Sequence, residues 1–540
     1  MTARSSRVTL VVPPALMTIG DNDVRDYLGL GYLAAVLRQR GHTAGIVDSA
    51  FSGLDYDDCV KMVLGTDPAV VGLTGPYVID LVSSVGVARR LRRAGFRGPI
   101  LVGGQAASHS WENVLKSSPE VDAVCVGEGE TTLPDLIEAH AASGRIEPVS
   151  GFAVREGDRF VFSPPPPLVA LDNLPFPVRD NVETDGAPST YAREGREGAS
   201  LPYPIEGSRG CPYACSYCSV QSFFRTAQGP AWRGRSPENV LEEITYLRSR
   251  WGAKGFMFCD DNFLGSGQKG RERVVKLAGL LAELRPGIQF IFECRVTEVD
   301  PELFGLLKRA GLAQTALGVE SGIAGMLDRF NKRATVADNV RALEVFHELG
   351  IRVHPNFMFC DPDTTVADME ELLVFLTRTR IHRTPNGLST VFHNRLGLFA
   401  GTASYAHYQA QGTTKPWRFE FLSSEEQRIC DQLDGVRDYE FSDPEFGLFY
   451  SILQRRINRL LSADGDLKGL ASPDDRKRWS STLGSAGFRL LETLVRTARE
   501  GRPLKSAEGE LDAIVDRVMA DLPQVQTSAD KRAGESQCSR

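Results

Sequence analysis

Cys211, Cys215 and Cys218 stand in the segment RGCPYACSYCSV with CxxxCxxC spacing, directly after a strand-like approach. Thiolates are soft ligands, and three on one tight loop can hold three irons of a 4Fe-4S cluster while the fourth iron lacks a protein ligand. Such an open iron can chelate a substrate or a cofactor. Zinc is the competing reading, but a structural zinc site normally closes with a fourth Cys or His at short spacing, and none follows locally. The other seven of the ten cysteines are scattered at uneven intervals and make no disulfide framework.

A second set of residues points to a ligand held by backbone. Pro13-Pro14, Thr74-Gly75, Gly103-Gly104-Gln105 and Gly127-Glu128-Gly129 each sit just past a short apolar run. Ligands of open α/β sheets bind at the carboxyl ends of strands, and glycine there lets the chain approach closely. Tight turns alone would explain any one of these sites; four together favour a ligand. The first strand is followed by no GxGxxG, so a dinucleotide is not indicated.

The elements that must position these residues follow from periodicity. RVTLVVPP (Arg7 to Pro14), TAGIVD (Thr43 to Asp48), PAVVGLTG, GPILVGG and VDAVCVG are apolar runs with little alternation, separated by helical patterns. That rhythm argues a doubly wound parallel sheet over residues 1–145, buried on both faces. Residues 146–200 form a connector, with a hairpin around Glu156-Gly157-Asp158 and a proline-rich extended strap. A second β/α series follows over 201–400. Its strands are the approach to Cys211, Gly255 to Asp260, Ile288 to Arg295, Thr315 to Ser321, Ile351 to Phe359 and Asn386 to Phe392. About six units argue a partial barrel with chemistry at the strand carboxyl ends. Residues 401–523 read as mainly helical, and 524–540 as a disordered tail.

The 540 residues carry 62 Lys+Arg against 69 Asp+Glu, a formal net charge of -7. Polyanion binders show a basic footprint instead, so nucleic acid is not an expected partner. Neither a secretory signal nor an apolar run long enough to span a bilayer is read, so the expected location is the cytoplasm, without a membrane partner.

Taken with its flanks, Arg209-Gly210 before the loop and Tyr217 before its last cysteine, the cysteine motif resembles that of the radical S-adenosylmethionine (SAM) superfamily. The resemblance implies a 4Fe-4S cluster on Cys211, Cys215 and Cys218, whose open iron binds SAM and whose electron splits it to a 5'-deoxyadenosyl radical. It also implies SAM contacts from Tyr217 and from Asp260, Asp261 and Asn262, which replace the usual Gly-Gly-Glu. Further contacts are implied from Arg295, and from Glu320 and Ser321 in GVESG. The first half, with LGLGYLAAVLRQRGH and VDAVCVGEGETTLPDLI, resembles the cobalamin-binding domain that precedes the barrel in one large, methyltransferase-type subfamily. Pro13, Pro14, Thr74, Gly75, Gly103, Gly104, Gln105, Gly127, Glu128 and Gly129 would then line the corrinoid. The DxHxxG signature is missing, so cobalamin is expected base-off, with no histidine on its lower axial face.

The activity implied is C-methylation. The radical abstracts hydrogen from an unactivated carbon of a small molecule, in natural-product (antibiotic) biosynthesis, and methylcobalamin delivers the methyl group. An external electron donor of flavodoxin or ferredoxin type is implied. The alternatives are a cobalamin-dependent radical cyclisation, rearrangement or ring contraction without methyl transfer and, from a different class, a cobalamin-binding sensor.

Overall fold

The computed structural model describes residues 5–17, 27–180, 202–468 and 472–522. Residues 181–200 of the expected strap and the expected tail lie outside the described residues. The chain divides into two compact units. The first runs to Cys294 and takes in Asp300–Thr315 and Gly397–Tyr439; the second comprises Arg295–Val299, Ala316–Leu396 and the chain from Glu440 onward.

The first unit opens with a seven-stranded sheet. Its strands β1 (Arg7–Val12), β2 (Thr43–Asp48), β3 (Val70–Thr74), β4 (Ile100–Gly103) and β5 (Ala123–Cys125) run parallel in the order β2-β1-β3-β4-β5. The expected hairpin, β6 (Phe152–Glu156) and β7 (Arg159–Phe162), extends the sheet antiparallel beyond β5. Side chains alternate between two cores, as the strand period of two requires. Val11, Val71, Val102 and Val124 face one core, with Leu81 and Val85 of helix Val78–Arg93. Val8, Leu10, Leu101 and Ala123 face the other, with Ala34 and Leu37 of helix Leu28–Gln39. Unalternating strands thus arise because both faces are covered.

The second β/α series supplies β8 (Tyr203–Ile205), β9 (Ser208–Gly210), β10 (Trp232–Gly234), β11 (Gly255–Phe258), β12 (Gln289–Arg295), β13 (Leu312–Glu320) and β14 (Arg352–Phe357). Five of these make one sheet in the order β14-β13-β12-β11-β8, while β9 and β10 form a separate antiparallel pair. Helix Pro237–Trp251 returns the chain as expected: the Ser236 hydroxyl accepts the Asn239 amide, Pro237 occupies the first turn and Gly252 ends the helix in the left-handed region.

One expectation fails. Asn386 to Phe392, read as a sixth strand, is the helix Gly387–Phe392, burying Leu388, Val391 and Phe392 at helical spacing. Asn386 enters it with φ +64°, and Gly387 is pressed so tightly on the His382 carbonyl that a Cβ would lie 2.4 Å from it. Residues 401–523 are mainly helical as expected, but 401–439 also carry strands β16 (Thr414–Pro416) and β17 (Val436–Tyr439), between helices Ala403–Ala410 and Ser424–Leu433; with β15 (Leu398–Phe399) these form a small sheet in the order β15-β17-β16. Ile429, Leu433 and Val436 complete the core on which helix Val78–Arg93 packs. The Tyr56 hydroxyl donates to Glu426 at 3.1 Å across the same joint.

The second unit ends in helices Pro444–Lys468, Pro473–Arg499 and Glu508–Asp521. Leu453, Ile457, Leu490, Leu494 and Leu511 are fully buried among them. Among the described residues, no helix is long and apolar enough to cross a membrane.

Candidate functional site

The cysteine loop is clamped from below by the end of β11. Asp260 accepts the Gly207 amide at 2.7 Å and the Ser208 hydroxyl at 2.6 Å. The Asn262 side chain accepts the Gly265 amide, while its carbonyl accepts from Ser208 and from the Trp232 indole. Asp260 and Asn262 are buried, so both spend their polar atoms on the turn between β8 and β9. Asp261 differs. It accepts the Gly210 amide at 3.2 Å and is exposed. Gly210, with φ +82°, is required: a Cβ would lie 2.2 Å from the Ala231 carbonyl oxygen.

The three thiols follow immediately and are half-buried. The Cys218 amide donates to the Cys215 carbonyl, Gln221 donates to the Cys211 carbonyl, and the Ser404 amide donates to Ser216, so the loop is braced on three sides. Burial pushes the Cys218 thiol up to about 12, and Asp261, Cys215 and Cys211 add to the rise by charge repulsion. A bound cation reverses that balance by ionising the thiol outright. Among the described residues, no three Cys, His, Asp or Glu side chains close around a single-ion position. Three half-buried thiols on one tight loop fit three irons of a 4Fe-4S cluster. Tyr217, beside the last cysteine, is half-buried.

The sheet rim expected to hold a corrinoid lies where the strand order places a switch point, between β1 and β3. Pro14 accepts from the Ser83 hydroxyl, Thr74 accepts from Ser84, and the Gly75 amide donates to the Gly103 carbonyl at 2.6 Å. Gly104 adopts φ +108°, and a Cβ there would lie 2.8 Å from the Gly75 backbone. Pro13, Pro14, Thr74, Gly75, Gly103 and Gly104 thus lie along one edge of the sheet, at the carboxyl ends of its strands.

Within the first unit this rim reaches the cysteine loop. Gln105 donates to Ser219 at 3.0 Å, next to Cys218. Gly127, at φ +87°, borders Thr226 so closely that a Cβ would lie 2.7 Å from its hydroxyl, and Gly129 packs against Leu33. Glu128 does not stand free: it pairs with Arg233 and lies 3.4 Å from Arg209. Arg209, two residues before Cys211, also pairs with Glu130 at 2.7 Å and Glu206 at 2.8 Å, under the Tyr32 ring. Burial alone would lower the Arg209 pKa, but Glu130, Glu206 and Glu128 together raise it well above the usual value. Burial pushes Glu206 up to about 7 against the pull of Arg209, and pushes Asp260 up to about 6. Sequence reasoning marked Arg209 only as a flank of the motif and missed Glu206 and Arg233; charged residues abutting apolar strands were the available signal.

The remaining expected SAM contacts belong to the second unit. Glu320 ends β13 at φ +62°, a left-handed conformation rare for a non-glycine residue, and pairs with Lys332 at 2.6 Å. The Arg295 guanidinium donates to the Lys332 carbonyl, and its amide donates to Glu298. Ser321 is fully buried, bonded to the Ile323 amide and to Met326. Arg295, Lys332 and Glu320 therefore form one connected group; Lys332 was not foreseen. Strained backbone beside a buried ion pair is a frequent mark of a ligand clamp.

The chain is similar to several known proteins. Residues 205–376 match the radical SAM superfamily, and residues 24–137 match the B12 binding domain. An uncharacterized methyltransferase of Pyrococcus horikoshii is 26% identical over 381 residues, 69% of this chain and 78% of that protein. The hopanoid C-3 methylase of Methylococcus capsulatus is 31% identical over 344 residues, 62% of this chain and 61% of its own length. Among solved structures, the cobalamin-dependent SAM radical enzyme OxsB, with aqua-cobalamin and SAM bound, superposes with a TM-score of 0.76 at 19% identity. It covers 96% of this chain and 81% of that one, a likeness of fold.

Proposed function

We propose that this chain, whose residues 205–376 match the radical SAM superfamily and 24–137 the B12 binding domain, transfers a methyl group to an unactivated carbon of a small molecule. When bound, the cluster, SAM and the corrinoid supply an electron, a carbon-centred radical and a methyl group. What this chain supplies is placement. Cys211, Cys215 and Cys218 hold three irons and leave the fourth for SAM. Asp261, which is exposed, accepts hydrogen bonds from a SAM ammonium or ribose hydroxyl, and Tyr217 packs by the adenine. The rim from Pro13 to Gly129 holds the corrinoid by backbone and excludes water from its face, as radical and methyl transfers demand.

The observation that carries the reading is the joint between rim and cysteine loop. Gln105 bonded to Ser219, and Glu128 and Glu130 bonded to Arg233 and Arg209, lock the two cofactor-bearing edges together within one unit. A sensor that only binds cobalamin needs no such lock. The segmentation that goes with this reading is a corrinoid domain over 1–145, a strap over 146–200 and a radical barrel over 201–400. The electron donor is a flavodoxin or ferredoxin type protein, and the setting is cytoplasmic.

The test is incubation of the anaerobically reconstituted enzyme with deuteromethyl-SAM and candidate natural-product intermediates. A product heavier by one labelled methyl group is expected, and it vanishes in Cys211→Ala, Cys215→Ala and Cys218→Ala. A product formed with SAM cleavage but no labelled methyl would replace the proposal with cyclisation or rearrangement.

A further inference from the structure

Two successive turns of the rim grip the cysteine motif, one at each flank. The turn after β4 brings Gln105 to Ser219, the residue that follows Cys218, at 3.0 Å. The turn after β5 brings Glu130 to Arg209, two residues before Cys211, at 2.7 Å. Glu128 of the same turn lies 3.4 Å from Arg209 and pairs with Arg233, the residue opposite Arg209 across β9 and β10. The cysteine loop is thus a span between two anchors, and both anchors are fastened to the edge that carries the corrinoid.

A third contact joins the same two parties. Gly401 is pressed on the ring of His109, which ends the short helix begun by Gln105; a Cβ there would lie 2.4 Å from the ring Nδ1. Three residues on, the Ser404 amide donates to the Ser216 carbonyl at 2.9 Å, between Cys215 and Cys218, and the Ser404 hydroxyl donates to the Ser216 hydroxyl at 3.1 Å. The far side of the His109 ring stands 3.4 Å from the Ser222 hydroxyl. All of these residues belong to the first unit.

Such a seam sets a register as well as holding two surfaces together. Apolar surfaces slide past each other at little cost, whereas a hydrogen bond weakens steeply away from its direction and a buried charge that loses its partner is strongly destabilising. Arg209 and Arg233 are each 8% exposed, so water offers little compensation for a displaced carboxylate. The rim turns therefore keep their shape while the flanks of the cysteine motif stay in place, and the flanks stay in place while the turns keep their shape.

Ligation is what fixes those flanks. Three thiolates tied to one cluster restrain the chain from Cys211 to Cys218, in the way that metal binding and local folding are coupled generally. We infer that Arg209 and Ser219 are positioning residues through which the two cofactors load cooperatively: a cluster on the cysteines sets the rim turns in the shape that takes the corrinoid, and a bound corrinoid steadies the cysteine loop in return. Coupling between two binding sites is reciprocal and commonly amounts to roughly fivefold to a hundredfold in affinity. The inference rests on the cofactor sites of the reading above and not on the fate of the methyl group.

Equilibrium dialysis of methylcobalamin, in the dark and without oxygen, against the full-length chain with and without its reconstituted cluster tests the coupling. The cluster-loaded wild type should bind about tenfold more tightly than the cluster-free chain. Ser219→Ala removes the hydroxyl that accepts from Gln105, and Arg233→Gln removes the charge facing Glu128. In the double variant the two affinities should come within about threefold of each other, whereas a merely structural loss would weaken both and leave their ratio alone. Ser219→Ala alone, a change at a half-buried side chain, should reduce the ratio in the same direction, and the wild-type ratio needs no variant at all. Equal affinity of the two wild-type forms, or the full ratio kept in the double variant, would overturn the inference. Absence of methylcobalamin binding to both forms would overturn it together with the rim assignment. A missing labelled methyl product leaves the ratio untouched, so the methyl-transfer reading and this one fail separately.

Discussion

Glu206 sits three residues before Arg209 and five before the first cysteine, with its carboxyl pushed up to about 7 from an ordinary 4.5. The folded state thus holds the proton more tightly than the unfolded chain does. Its contribution to stability is complete below about pH 4.5 and is lost as pH rises through about 7, on the order of 3 kcal/mol in all. Glu206→Gln should flatten this part of the profile. Urea unfolding of the cluster-free protein across that window should show wild type weakening with rising pH, and the variant changing by clearly less. Equal slopes would place the ionisation elsewhere. The residues of this site were legible in unequal degrees. Cysteine spacing announced the thiols because ligation fixes spacing along the chain. The guanidinium of Arg209 gave no such signal, because Glu128, Glu130 and Glu206 reach it from two different strand ends.

At the scale of elements, the rim where β3 and β4 end depends on Gly104, whose positive φ and contact with the Gly75 backbone leave no room for a side chain. Gly104→Ala should cost about 1–3 kcal/mol, lower the thermal midpoint and reduce corrinoid uptake measured by absorbance. Gly103→Ala, whose Cβ would meet only the Cys125 side chain at 3.3 Å, should be milder on both counts. If the two variants behave alike, the backbone crossing is not what shapes the rim. The five parallel strands of this sheet could be read from sequence because burial on both faces writes itself as continuous apolar runs. Asn386 to Phe392 misled for the same reason: a short apolar run does not distinguish a strand from a buried helix. The small sheet β15-β17-β16 escaped notice because its strands are two to four residues long and find partners far away in sequence.

For the whole molecule, the important fact is that the first unit is not finished by the first part of the chain. Helix Ser424–Leu433 and Val436 supply Ile429, Cys430, Leu433 and Val436 to the core beneath helix Val78–Arg93. Each such buried aliphatic is worth about 1.5–3 kcal/mol. A chain ending before Gly397 should therefore expose that face, bind a hydrophobic dye and aggregate, whereas a full chain should not; a soluble, dye-silent truncation would show the face to be dispensable. The same interleaving bears on how the protein comes into being. The chain passes between the two units after Cys294, Val299, Thr315, Leu396 and Tyr439. During synthesis the corrinoid sheet must wait, partly bare, until residue 439 has left the ribosome. Nor does a single cut in the chain separate the first unit from the second, so limited proteolysis at one site should not release either unit whole.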